Sequence, residues 1–327
     1  MHFKIRTYLK HSIILLKETF RKWNEHKDSR LAAALAYYTV FSLAPLLILV
    51  IAIAGTVLGE EAARGQIVEQ LQQLLGPQGA EVIETVIAGA SEPGANVSMM
   101  ASAISISLLI FGATGVFIQL QDALNTIWEV APKPERNFTT FIFNRFLSFG
   151  MVMGIAFMLL VSLVISATLA FLNNFLGNLS PGMGYLWSLI NITISFSIIT
   201  LLFAMIFKFL PDVKISWSDV LIGAMITALL FTIGKYLIGL YLGKSTFSSA
   251  YGAAGSLVVL LFWVYYSAQI VFMGAEFTQV YARHYGSRIK PADYAVFVTE
   301  EARAQQGIIS EETLKQSSSA DNDRRQH

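Results

Sequence analysis

Long apolar runs without any charged residue alternate along this chain with short polar segments. Four such runs cover residues 31–59, 97–121, 146–207 and 245–275. A helix crosses a bilayer with about 20 apolar residues, so each run is long enough for a transmembrane helix. The pattern therefore predicts a protein whose helices lie in lipid.

The number of predicted spans follows from two details of this pattern. The third run is long enough for two helices, and the segment "NNFLGNLSPGMG" (173–184) divides it because Asn, Gly, Ser and Pro favour a turn. A further apolar run over 220–242 contains only Lys235 as a charged residue. Six transmembrane helices are thus predicted, over 31–58, 97–121, 145–172, 185–208, 218–243 and 253–282.

The distribution of Lys and Arg predicts the orientation of these spans. With a cytoplasmic N-terminus, cytoplasmic segments carry eight Lys and Arg before the first span, three over 133–145, two over 208–214 and seven after Ala282. External loops carry two, Arg64 and Lys244. Because positive residues concentrate in cytoplasmic loops, both termini are predicted to be cytoplasmic.

Three segments fall outside the predicted six-helix membrane domain (31–283) or between its spans. Residues 1–30 predict an amphipathic helix whose apolar and basic positions suit either an anionic membrane surface or packing on the cytoplasmic side. Residues 60–96 predict an external loop with two short helices, either a lid or a simple cap over helix ends. Residues 284–327 predict a polar, largely disordered cytoplasmic tail.

Composition supports the membrane assignment and excludes some chemistry. Of 327 residues, 54% are hydrophobic and 14% are charged, whereas about a quarter is usual in soluble domains. The chain has no cysteine, so disulfides, thiolate metal sites and a cysteine nucleophile are excluded. The fold class predicted is an all-α integral membrane protein.

Four motifs resemble one family of bacterial inner-membrane proteins, the YihY/BrkB family. They are "AYYTVFSLAPLL" (36–47), "GVFIQLQDALNTIW" (115–128), "LPDVKISWSDVLIGA" (210–224) and "YGAAGSLVVLLFWVYYSAQIVFMGAEFTQVYA" (251–282). The resemblance implies a six-helix, multi-pass protein of the cytoplasmic membrane. It implies no settled activity, because members have been labelled both ribonuclease BN and virulence factors linked to serum resistance.

The residues argue against an enzyme. Metal-dependent phosphodiester hydrolysis needs clustered His and carboxylate ligands, and the five histidines show no pair at ligand spacing along the sequence. No Gly-x-Ser-x-Gly elbow or phosphate-binding loop is present in the sequence. The basic residues follow membrane topology rather than forming a nucleic-acid groove. We expect no catalytic residue, no metal, no cofactor and no nucleic-acid partner.

Ionisable residues inside spans are costly and indicate functional positions. Glu276 ends the last uncharged run about 10 Å from the cytoplasmic side, and Lys235 lies deeper as a second polar position. We predict a polar cluster around the carboxylate, either a lock between helices or a vestibule for a polar or anionic group. Its members are Gln119, Asp122, Asn125, Arg145, Gln269 and Glu276.

Two functions remain open from the sequence. A transporter or lipid-handling protein is favoured by the spans, the polar cluster and the kink expected at Pro45. A membrane scaffold that binds partners through its termini is the alternative. Membrane lipids are the expected partners, protein partners are unknown, and the pairs Gly55/Gly59 and Gly239/Gly243 suit either a homo-oligomer or contacts within the chain.

Overall fold

A computed structural model of the chain describes residues 2–65, 67–68, 99–133, 184–244, 255–286 and 289–299. Within these ranges, six long helices and four short strands are formed. The helices are α1 (His2–Glu25), α2 (Asp28–Leu58), α3 (Met99–Ile127), α4 (Gly184–Phe209), α5 (Trp217–Lys244) and α6 (Gly255–His284). The strands are β1 (Val130–Pro132), β2 (Val213–Lys214), β3 (Lys290–Pro291) and β4 (Ala295–Phe297).

The prediction of a mainly helical chain with membrane-spanning helices is confirmed. Segments Ile192–Phe209, Trp217–Ile238 and Leu257–His284 are each long and apolar enough to cross a bilayer. A fourth candidate lies in α2, where Asp28–Leu43 and Pro45–Ala52 meet at a bend of 53°. Proline removes one helical hydrogen bond and clashes with the preceding turn, which accounts for a bend at this position. The predicted span over 145–172 lies outside the described residues.

Helix α6 is the centre of the described bundle, in contact with α1, α2 and α5. Its approach to α5 depends on small residues used in pairs. A Cβ added at Gly223 of α5 would overlap Thr278, and one added at Gly274 of α6 would overlap Thr227. Each threonine hydroxyl donates to the carbonyl of the glycine four residues earlier in its own helix. The two helices therefore interlock through reciprocal Gly and Thr positions.

The main hydrophobic core lies near the helix ends that the sequence places at the cytoplasmic side. Trp128, Phe207 and Phe272 are fully buried there, beside Leu124 and Ile127. Further along α4 and α5, large apolar side chains such as Leu189, Ile192, Leu229, Ile233 and Leu237 are exposed. Exposed apolar helix faces of this kind suit contact with lipid.

The segment after α6 is ordered over residues 289–299, which lie within the tail that the sequence predicted to be largely disordered. Strand β4 pairs antiparallel with β1, with Val130 opposite Phe297 and Pro132 opposite Ala295. Strand β3 pairs with β2 in the same way, with Val213 opposite Pro291. The backbone groups of this segment thus find partners on the segments that follow α3 and α4, which orders it. Residues 300–327 lie outside the described residues.

Candidate functional site

Glu276 of α6 is fully buried, and its closest polar partner is His26. One carboxylate oxygen, Oε1, lies 2.5 Å from Nδ1 of the imidazole. The sequence prediction placed the partners of Glu276 on the second and third spans and did not include His26. His26 lies in the turn between α1 and α2, and α1 packs against the end of α6, which brings the ring to Glu276.

A second buried carboxylate, Asp28, lies beside this pair. Asp28 begins α2 and is fully buried. Among the described residues, neither of its carboxylate oxygens has a hydrogen-bond partner, and neither does Oε2 of Glu276. One ligand-type atom from each of His26, Asp28 and Glu276 falls in a group whose members all lie within 4.8 Å of one another. We call these three residues the His26 triad.

A third carboxylate, Glu129, lies near Nε2 of His26, the ring nitrogen that does not contact Glu276. Lys22 places Nζ 2.7 Å from Oε1, and Arg283 places Nη2 2.5 Å from Oε2. Nε2 of His26 lies 3.5 Å from Oε1. Burial alone would raise the pKa of Glu129, but the nearby imidazole of His26 and the charges of Arg283 and Lys22 outweigh burial and hold that pKa well below its usual range. Glu129 is therefore an anion beside the Nε2 edge of the imidazole.

The two carboxylates around His26 also set its charge. Burial lowers the pKa of this imidazole, but the charge of Glu276, the hydrogen bond with Glu276 and the nearby carboxylate of Glu129 outweigh burial and raise the pKa to about 9. His26 is thus a cation at neutral pH, held between two acids.

The backbone at both sides of the imidazole is in the left-handed region. Lys27 and Glu129 each have φ of 57°. Non-glycine residues adopt this conformation rarely and at a cost, and it persists where the surrounding contacts fix it. At Lys27 it joins α1 to α2 in a tight turn, so that His26 and Asp28 both face α6.

Another predicted member, Asn125, belongs to a separate cluster around Asp212. Its Nδ2 donates to Oδ2 of Asp212 at 3.0 Å, and its Oδ1 accepts from the Asp212 backbone N–H at 2.8 Å. Gln121 Nε2 donates to Oδ1 at 3.0 Å and the Tyr294 hydroxyl donates to the same atom at 3.2 Å. We call this group the Asp212 cluster.

The other predicted positions are not brought to Glu276 by the contacts described. Asp122 is exposed, Gln119 and Gln269 are partly buried, and Lys235 is partly buried on α5. Gln269 Oε1 has no hydrogen-bond partner among the described residues. Arg145 lies outside the described residues.

Sequence reasoning missed His26, Asp28 and Glu129 as members of the site. The signal was the position of their charges at the borders of apolar runs. Asp28 and His26 directly precede the first run, and Glu129 directly follows the helix formed from the second. Border charges are normally solvated, so only the tertiary contacts reveal that these three are buried.

A separate cavity lies along the second half of α2. Its volume is about 390 Å³, and it is lined by Ile48, Ile51, Ala52, Gly55, Thr56 and Glu60. Ile48 follows Asp28 by twenty residues, which corresponds to about 30 Å of helix. The bend at Pro45 separates this cavity from the His26 triad.

Comparison with known families shows to which family the chain belongs. The profile of the family described as "Virulence factor BrkB" matches residues 19–296. The chain belongs to the BrkB family. The region shared with BrkB proteins includes the His26 triad, Glu129 and the Asp212 cluster.

Several membrane proteins named UPF0761 are BrkB relatives of this chain. One from Psychromonas ingrahamii is 31% identical over 252 residues, which is 76% of this chain and 80% of the relative. One from Aggregatibacter aphrophilus is 27% identical over 265 residues, 80% of this chain and 90% of the relative. One from Ralstonia nicotianae is 24% identical over 262 residues, 80% of this chain.

The relatives differ in length. The matched part spans only 57% of the Ralstonia relative and 47% of one from a Psychrobacter species. No solved structure matches the chain.

Proposed function

We propose that this protein is a six-span transport protein of the bacterial inner membrane that moves an amphiphile, with both termini in the cytoplasm. One observation carries the proposal. Asp28 and Glu276 are fully buried, and three of their four carboxylate oxygens have no partner among the described residues. Ionisable groups buried in membrane proteins at this cost commonly mark the path of an ion or substrate.

A cluster that only locks helices together would pair its polar atoms. The Asp212 cluster does so, with both Asp212 oxygens accepting hydrogen bonds. The His26 triad leaves acceptors unused, which costs about 1–3 kcal/mol for each buried polar group and more for a charged one. Vacant acceptors suit a site whose partner is not part of the chain.

The chemistry of the described groups favours a substrate with a positively charged head. One alternative predicted from the sequence was instead a vestibule for a polar or anionic group. Carboxylates lie at both ends of α2. Asp28 and Glu276 are at one end, and Glu60 is at the other, beside the apolar wall of the cavity. In an amphiphile with an amine in its head and an acyl tail, the amine suits the carboxylates and the tail suits the apolar wall.

Burial argues against nuclease activity at the triad. His26 is 2% exposed, and Asp28 and Glu276 are fully buried. An ion or a single amine head could reach them through a small opening between side chains, whereas an RNA strand would need a wide groove. We therefore propose transport rather than catalysis.

A scaffold is the second candidate, and α1 is the observation that favours it. Thr19, Lys22 and His26 of this segment are buried, whereas Ile13, Leu16 and Phe20 are exposed. The exposed apolar side chains suit either the membrane surface or a partner helix. A scaffold would use this surface and need no movement of lipid.

Purified protein reconstituted into vesicles tests transport directly. Vesicles would carry acyl-labelled fluorescent phosphatidylethanolamine or phosphatidylglycerol, and dithionite would quench label in the outer leaflet. We expect the protein to let dithionite quench well over half of the phosphatidylethanolamine label, faster than phosphatidylglycerol, with loss of this effect in Glu276→Gln.

The matched control is Asp293→Asn, a carboxylate change at an exposed position. Folded wild-type protein that leaves quenching equal to that of empty vesicles for both lipids would overturn the transport proposal. The scaffold would then become the leading candidate.

A further inference from the structure

The His26 triad has the composition of a metal site. It offers one imidazole nitrogen and two carboxylates, and these donors suit divalent first-row transition metals. The donors come from two elements, the α1–α2 turn and α6, that are far apart in sequence. The sequence-based expectation of no metal rested on spacing along the chain, which does not register such a cluster.

The spacing of the donor atoms fits a single ion with small adjustments. The three ligand-type atoms lie within 4.8 Å of one another. Ligands about 2.1 Å from one ion lie roughly 3–4 Å apart. The His26–Glu276 contact of 2.5 Å would open slightly and the longer separation would shorten. Side-chain rotation provides movements of this size.

The unused carboxylate oxygens are an independent indication of a ligand. Asp28 is fully buried at the triad, and both of its oxygens lack a partner among the described residues. Oε2 of Glu276 lacks one as well. Buried charges in proteins are usually paired or coordinate metals. A divalent cation would balance the two carboxylates in full.

The surroundings of His26 match those of a metal-binding histidine. Such histidines usually direct the second ring nitrogen at a carboxylate, which fixes the ring. Here Nδ1 faces Glu276, and Nε2 lies 3.5 Å from Oε1 of Glu129. Lys22 and Arg283 hold Glu129 in place. The left-handed Lys27 fixes the turn that presents His26 and Asp28 together.

We propose that His26, Asp28 and Glu276 bind one divalent transition-metal cation through Nδ1 and the two carboxylates, with Glu129 orienting the imidazole. The ion joins the α1–α2 turn to α6. This proposal does not rest on transport. The ion would occupy the carboxylates in place of an amine head, and an ion bound here would tie α1 to the bundle in a scaffold as well.

Metal binding by the purified full-length protein tests the site. Protein without an affinity tag would be stripped with EDTA and equilibrated at about pH 8, where an ion that binds would displace the proton of His26. Mn²⁺ would be followed by electron paramagnetic resonance and Zn²⁺ by elemental analysis. We expect about one ion per chain in the wild type. Binding should weaken by at least about tenfold in Asp28→Asn and in Glu276→Gln.

Two control variants separate this site from general binding to carboxylates. Asp212→Asn alters a buried acid of the other cluster, and Asp293→Asn alters an exposed one. Both should bind as the wild type does. Wild-type protein that takes up neither ion, or an Asp28→Asn variant that binds as well as wild type, would overturn the proposal.

A thermal readout keeps the test decisive if Glu276→Gln does not fold. Mn²⁺ should raise the Tm of the wild type and of Asp293→Asn, and leave that of Asp28→Asn unchanged. Equal shifts in all three proteins would overturn the site. Metal binding without lipid movement in vesicles would retain the metal site and reject only the transport proposal.

Discussion

Asp212 and Asp28 are both buried acids near the same end of the bundle, but their surroundings differ. Asp212 is 2% exposed and accepts hydrogen bonds from Gln121, Asn125 and Tyr294. Asp28 is fully buried without any such partner among the described residues. Burial alone therefore does not separate these two acids. They differ in whether the described residues supply hydrogen-bond partners.

The largest effect on stability is expected at Glu129, which joins the triad to two cations. Removing one member of a buried ion network leaves uncompensated charge and costs about 3–5 kcal/mol. We expect Glu129→Ala to lower the Tm by several degrees, because Lys22 and Arg283 lose the carboxylate that they share. Trp fluorescence during heating in detergent measures this. A Tm equal to that of the wild type would mean that water replaces the carboxylate.

The next largest effect is expected at Asp212. Substitution Asp212→Ala leaves donors on Asn125, Gln121 and Tyr294 without an acceptor, at a cost of about 2–3 kcal/mol. We expect a clear fall in Tm and faster proteolysis after residue 286, because Tyr294 helps to hold that segment. Unchanged proteolysis would show that pairing of β1 with β4 suffices to hold the segment.

A much smaller effect on stability is expected at Asp28. Comparing its effect with that of Asp212→Ala tests the distinction between the two acids. Because the Asp28 oxygens have no partner among the described residues, Asp28→Asn removes a costly buried ionisable group and loses none of the hydrogen bonds described. In EDTA, we expect the Tm to stay the same or rise. A fall as large as that of Asp212→Ala would contradict the distinction between the two acids.

The smallest effect is expected at the exposed ion pair of Lys214 and Asp293, whose atoms lie 2.6 Å apart. The hydrogen bond and charge of Lys214 lower the pKa of Asp293. Any stability from the pair is therefore present above about pH 4 and lost as the pH falls further. We expect the Tm of Asp293→Asn to match that of the wild type at neutral pH. A measurable difference would mean that this pair is less screened than its exposure implies.

The apolar helices could be predicted from the sequence because local composition determines them. The spans predicted over 185–208 and 218–243 differ from α4 and α5 by one residue at each end. Charged residues such as Lys208, Asp219 and Lys244 border these runs and mark where the helices leave the apolar phase.

The site could be predicted from the sequence only in part, because it depends on long-range contacts. Glu276 was identified from its cost of burial, but its partner His26 is 250 positions away. Nothing in the local pattern distinguishes the buried Asp28 from the exposed Asp122, since both border apolar runs. Their difference arises from the left-handed turn at Lys27 and the packing of α1 against α6.

The two strand pairs after α6 also constrain how the chain is threaded through the bilayer. Strands β1 and β2 both hydrogen-bond to the segment after α6, so they lie on one face of the membrane. Between β2 and β3, which pair with each other, lie α5 and α6, and each is long and apolar enough to cross once. A chain that starts and ends on one face must cross an even number of times. These two helices meet that condition without reference to charge.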